Sequence, residues 1–65
     1  MQVRVNGEQR TLGDASLLSL LHDLDALRDG VAVAVNDEIV LRSTWDATEL
    51  RDQDCVEVLS AAPGG

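Results

Sequence analysis

Only one stretch of this 65-residue chain carries a helical repeat: Leu17, Leu20, Leu21 and Leu24 fall at i, i+3, i+4 and i+7 and line a single face. On either side of it, apolar residues alternate or cluster with the short periods of strands. One amphipathic helix can bury its stripe only against a sheet, so the pattern calls for one helix laid across one face of one sheet. The length holds one domain at most and leaves no material for a second helical layer.

Ser16 stands where this helix needs an N-cap, and its hydroxyl suits that place. Leu18 and Leu27 lie beside the stripe, Ser19, His22, Asp23 and Asp25 point outward, and Gly30 closes the segment, with "DALRDG" read either as the end of the helix or as an irregular turn. Upstream, Met1, Val3 and Val5 alternate with Gln2, Arg4 and Asn6, the period of a strand with one buried face. Asn6-Gly7 is a type I′ hairpin signal because both residues tolerate positive φ, and "EQRTL" returns as the second strand. Downstream, "VAVAVN" suits a strand covered on both sides or packed tightly under the helix. Asn36-Asp37 is a second turn, followed by a short strand over Glu38-Ile39-Val40-Leu41. "RSTWDATEL" reads as a loop with one helical turn, and "DQDCVEVLSA" as a last strand with Val56 and Val58 on one face and Cys55, Glu57 and Leu59 on the other. The order β-β-α-β-β-β is that of an α+β protein. If the last strand returns beside the first, it is a β-grasp with a mixed four- to five-stranded sheet and one helix across one face.

The core of such a domain has to be built from Leu, Val, Ile and Ala, since there is no Phe or Tyr and one Trp. Trp45, in the loop, is expected to cap an edge of that core while its indole N–H reaches a polar partner. A single cysteine and a single histidine rule out an internal disulfide and a closed zinc site. His22 has no nucleophile, acid and oxyanion loop at a catalytic spacing around it, and reads as a solvated helix-surface residue. Cys55 has no CxxC partner and no basic residue close in sequence, so it reads as packed or solvent-facing rather than reactive. The carboxylates single out no pair for acid-base work or metal binding, and no metal is expected. A net charge of −7 opposes contact with phosphate backbones, so nucleic acid is not an expected partner; it keeps the chain soluble and would speed encounter with a basic protein surface. With neither a signal-peptide pattern after Met1 nor a membrane-length apolar run, no membrane is expected and the cytoplasm is the expected compartment.

The sequence closes on Ser60-Ala61-Ala62-Pro63-Gly64-Gly65, residues with almost nothing to pack. The expected division is a folded domain over residues 1–59 and a flexible tail over 60–65. Six extended residues reach on the order of 20 Å. Gly64 and Gly65 have no Cβ and fit a channel too narrow for other residues, while Pro63 limits the tail's wandering just before them. Composition alone leaves two readings open. The tail is either a trimmed linker, or a stalk presenting a terminal carboxylate that a partner enzyme activates as an acyl phosphate or acyl adenylate.

The opening hairpin, the helix entered through "SLLSLL", the segment "VAVAVNDEIVLRSTW" with Asn36, Ile39, Val40, Arg42 and Trp45, the turn from Asp52 to Asp54, and Gly64-Gly65 together resemble the ThiS family. These are the ubiquitin-like sulfur carriers of thiamine biosynthesis, and the resemblance spans the whole chain. It implies a β-grasp protein that is not itself an enzyme and binds no cofactor. An E1-like activating enzyme of the ThiF or MoeB type would use ATP and magnesium to adenylate Gly65. Sulfur from a donor such as a cysteine desulfurase would then give a C-terminal thiocarboxylate, delivered to thiazole synthase (ThiG). In this picture Ala61, Ala62, Pro63 and Gly64 form the tail that enters the partner's active site. By analogy with ubiquitin-like folds, Leu59 and Leu41 are expected at the docking surface, on the sheet face away from the helix. Leu41 replaces a proline common in relatives, and Pro63 replaces a small or aliphatic residue; neither touches the reactive carboxylate. Delivery of the same sulfur to molybdopterin, cysteine or tRNA thiolation, and a role as a ubiquitin-like modifier or interaction module, are the alternatives.

Overall fold

Asn6 and Gly7 take φ values of 50° and 85°, the pair of positive angles that a type I′ turn demands, so the strand β1 (Gln2–Val5) folds straight back as β2 (Glu8–Thr11). A computed structural model describes residues 1–60. The candidate tail residues Ala61, Ala62, Pro63, Gly64 and Gly65 lie outside the described residues.

Asn36 and Asp37, at φ 51° and 69°, repeat the turn without a glycine and join β3 (Val31–Val35) to β4 (Glu38–Val40). Between these hairpins runs β5 (Cys55–Ser60), parallel to β1 and antiparallel to β3. The sheet order is therefore β2-β1-β5-β3-β4, the mixed five-stranded sheet of a β-grasp. β5 extends one residue past Leu59, because Ser60 still pairs with Val31.

The helix α1 (Leu17–Asp23) starts where Ser16 caps it, the serine Oγ accepting the Ser19 N–H at 3.2 Å. It ends just before "DALRDG", which is the irregular turn of the two readings. The closing residue is Asp25, not Gly30: Asp25 adopts φ 54° and donates its N–H to His22 O at 3.0 Å, while Ala26 N–H reaches back to Leu21 O at 2.8 Å. This is a Schellman closure with an aspartate in the left-handed place that glycine usually fills. Ala26 is thereby tucked into the core and Leu27 is left 44% exposed. Asp25→Gly should therefore stabilise the domain by about 1 kcal/mol, since it relieves the left-handed strain and removes a carboxylate from the negative end of the helix. A rise in Tm of roughly 4–8 °C in a thermal melt is the expected result. An unchanged or lower Tm would show that Asp25 is not strained.

The helix presents Leu17, Leu20 and Leu21 to one face of the sheet, where Val3, Val5, Val33 and Val56 meet them, and all seven are buried. Each such side chain contributes roughly 1.5–3 kcal/mol on burial, so the layer contact dominates the stability. Trp45 closes one edge from a 3₁₀ helix over Arg42–Ala47, 3% exposed, with its indole N–H donating to Val40 O at 3.0 Å. The Arg42 guanidinium stacks 4.8 Å from the centre of that ring and donates to Arg28 O, tying the segment after the helix to this corner. Of the two readings of β3, the strand packed under the helix holds: Val33 is buried beneath the helix, and Ala32 on the opposite face is exposed. One helix covers one face, and small Ala side chains carry little hydrophobic free energy to demand a second cover.

Asp52 steadies the start of β1 by accepting the Gln2 N–H at 2.7 Å. That bond, with a lesser one from the Gln53 amide, holds its carboxyl below the ordinary value. A depressed folded-state pKa stabilises the fold above the ordinary carboxylate value, and the contribution is lost as pH falls through the depressed one.

Candidate functional site

Strand alternation sorts β5 cleanly. Val56 and Val58 face the helix; Cys55, Glu57 and Leu59 face the open side. Leu59 lies opposite Ala32 and Glu57 opposite Ala34, while Ala34 in turn lies opposite Ile39 of β4. These residues line a shallow apolar depression of about 70 Å³ on the helix-free face. Leu59 and Leu41, the two expected docking residues, are each 66% exposed, and continued alternation from Ile39 puts Leu41 on the same face.

Sequence reasoning missed the most exposed member. Ile39 is 76% exposed and sits on the edge strand β4, two residues before Leu41 and across from Ala34 of β3. Its signal was its shared parity with Leu41, hidden because Glu38-Ile39-Val40-Leu41 is apolar on both parities. Small neighbours, Ala32 and Ala34, leave these large side chains standing clear of the sheet. Exposed aliphatic groups so arranged on a chain of −7 charge form a surface that water covers poorly.

Toward β2 the same face turns polar. Arg4 lies beside Cys55 in the register, and Gln2, Arg4, Gln9 and Gln53 border a second depression of about 110 Å³, with the Gln9 amide donating to Gln2 Oε1. Cys55 is solvent-facing. His22 stands exposed on the helix, with an Asp23 carboxyl oxygen 3.8 Å from its Nδ1. Among the described residues no three His, Cys, Asp or Glu side chains stand close enough together to hold a metal ion, and no helix is long and apolar enough to cross a membrane. What the face offers is an apolar contact area on the strand that leads to the Gly-Gly terminus.

The model of the ThiS family matches residues 3–65. The sulfur carrier protein ThiS of Thermus thermophilus is 38% identical over 63 residues, which cover 97% of this chain and 98% of the relative. An uncharacterized protein of Pyropia yezoensis, ycf40, is 35% identical over 66 residues, covering 100% of this chain and 93% of its own length. Among solved structures, the crystal structure of the thiamine biosynthesis protein ThiS from Geobacter metallireducens superposes with a TM-score of 0.81 at 33% identity, covering 100% of both chains. A solution structure of a thiamine biosynthesis protein from the same organism gives 0.78 at 35% identity, covering 100% of this chain and 88% of that one. With a family match over nearly its whole length, a relative of nearly the same length and a solved ThiS structure that superposes over the full chain, this chain belongs to the ThiS family.

Proposed function

We propose that this chain is a sulfur carrier for thiazole formation in thiamine biosynthesis, and that the carboxylate of Gly65 is the group that carries the sulfur. The observation that supports this most is the family match, which runs through Gly64 and Gly65.

The chemistry follows from what a carboxylate lacks. It is a poor electrophile, so an activating enzyme of the ThiF or MoeB type spends ATP, with magnesium, to transfer AMP onto a carboxylate oxygen and release pyrophosphate. The resulting acyl adenylate has a good leaving group. Sulfur held as a persulfide by a donor such as a cysteine desulfurase then attacks the carbonyl carbon and displaces AMP, and a thiol cleaves the resulting S–S bond, being itself oxidised to a disulfide and leaving a thiocarboxylate for thiazole synthase (ThiG) to consume. Ala61, Ala62, Pro63 and Gly64 serve as the stalk, and glycine at the end lets the carbonyl sit flush with the catalytic groups of a narrow site. Leu59 and Leu41, with Ile39, form the face against which the activating enzyme docks. Leu59 belongs to the strand that leads into the stalk, so docking and insertion are one continuous contact. The acidic surface speeds approach to a basic partner.

Cys55 takes no part in this scheme. Cys55→Ser should accept sulfur as the native chain does; a variant unable to accept it would place the sulfur on the side chain and overturn the assignment to Gly65. The direct test is the intact mass of the chain after incubation with ATP, magnesium, a ThiF-type enzyme and a sulfide source. A gain equal to the difference between sulfur and oxygen supports the carrier reading, and no gain with several activating enzymes rejects it.

A further inference from the structure

The two hairpin turns are written in nearly the same letters, Val5-Asn6-Gly7-Glu8 and Val35-Asn36-Asp37-Glu38. Both valines pair with one residue, Val56, from opposite sides of β5. Because β1 runs parallel to β5 and β3 antiparallel, the asparagines that follow these valines point toward opposite ends of that strand.

Asn36 holds the entry, its Oδ1 accepting the Cys55 N–H at 3.0 Å and its Nδ2 donating to Asp54 Oδ1 at 2.9 Å. Asn6 holds the exit. Its backbone N–H still donates to Val56 O at 2.9 Å as part of the β1 ladder, but there β1 turns away, and on that side Val58 would have no strand beside it. The Asn6 carboxamide takes the missing strand's place, with Oδ1 accepting the Val58 N–H at 2.9 Å and Nδ2 donating to Val58 O at 3.1 Å. A primary amide matches a backbone peptide donor for donor and acceptor for acceptor, which a carboxylate or hydroxyl of that length does not.

We propose that Asn6 is a positioning residue for sulfur loading, its side chain prolonging the β1–β5 ladder by one residue and so fixing the direction in which the chain leaves β5 toward Gly65. The inference rests on the carrier reading above. Leu59 and Ser60 pair on the β3 side alone, with Ala32 and Val31, so the clamp at Val58 is the last restraint from the β1 side among the described residues. Loosening it lowers the fraction of molecules whose exit strand is already in the docking geometry. A smaller competent fraction raises the KM for the carrier and leaves the rate of the bound complex alone.

The test compares Asn6→Gly and Asn6→Asp with the native chain. Both substitutes tolerate the positive φ of the turn, so the hairpin survives. In Asn6→Gly, which removes both bonds, the Val58 amide should exchange its hydrogen about tenfold faster, while the Leu21 amide in α1 keeps its rate. In both variants the KM for the chain in ATP-dependent adenylation should rise roughly three- to tenfold at unchanged kcat, measured well below Tm. Asn36→Gly loosens the other end of β5 and should leave KM where it was, which a general loss of stability would not do. An unaltered Val58 exchange rate in Asn6→Gly overturns the clamp, and an unaltered KM in both Asn6 variants overturns its role in loading. Failure of the native chain to be adenylated at all would instead sink the carrier reading, and the exchange comparison alone would then decide on the clamp.

Discussion

Deleting Gly65, or adding one alanine after it, is expected to abolish sulfur loading while leaving Tm within a degree or two of the native value. The two readouts separate because they depend on different parts of the chain. Every buried apolar residue among the described ones lies between Val3 and Val56, so the melting transition depends on side chains that neither change touches. On the carrier reading, loading depends on a carboxylate oxygen of Gly65 delivered to within bonding distance of the α-phosphorus of ATP, and a misplacement of about one residue, roughly 3.3 Å, is far outside the tolerance of such a step. Mass spectrometry after incubation with the activating enzyme, set beside a thermal melt, checks both. Loading that persists in the deletion would mean the terminal carboxylate is not the sulfur site. A fall in Tm of many degrees would mean the last residue packs against the domain.

The opposite pattern is expected of Leu21→Ala. Leu21 is fully buried where the helix meets the sheet. Truncating a leucine in such a place costs about 2–5 kcal/mol, against a total stability for 65 residues of roughly 3–10 kcal/mol. The variant should therefore lose Tm by at least about 10 °C and be partly unfolded at 37 °C by circular dichroism. Leu27→Ala, made at a leucine the helical pattern treats as a neighbour of the stripe, should change Tm by only a few degrees because Leu27 is already half in water. Equal losses in the two variants would contradict the early end of α1.

That pair of leucines marks how far the sequence could be read. Hairpins were legible because left-handed turns need residues that tolerate positive φ, and Asn6-Gly7 and Asn36-Asp37 are such residues in short, well-framed gaps. The helix start was legible for a similar reason, since Ser16 is a capping residue placed before an apolar repeat. Its end was not, because Gly30 offered the stronger signal while aspartate, a weaker left-handed residue, did the closing at Asp25. Tertiary context decided: the turn at Asp25 brings Ala26 into the core and leaves Leu27 in water. Likewise "VAVAVN" carries no mark of which face is covered, since alanine is content on either side of a sheet. Of the docking candidates, Leu59 and Leu41 could be named by analogy with ubiquitin-like folds and from their closeness to the terminus, whereas Ile39 needed the register that places it across from Ala34. The hydrogen bonds from Asn6 to Val58 join positions 52 apart and belong to the fold, not to any local pattern.

β5 is the middle strand of the sheet although it follows all four of its companions along the chain. During synthesis the first two strands, the helix and the next two strands emerge before anything exists to join them, and isolated hairpins are marginal in water. Closure must then span nearly the whole chain at once, which makes folding a late and slow event. A polypeptide interrupted on the ribosome before this strand would remain two hairpins and a helix, open to proteases. A domain that has closed is therefore one whose last strand, the one that leads toward Gly65, has already been made.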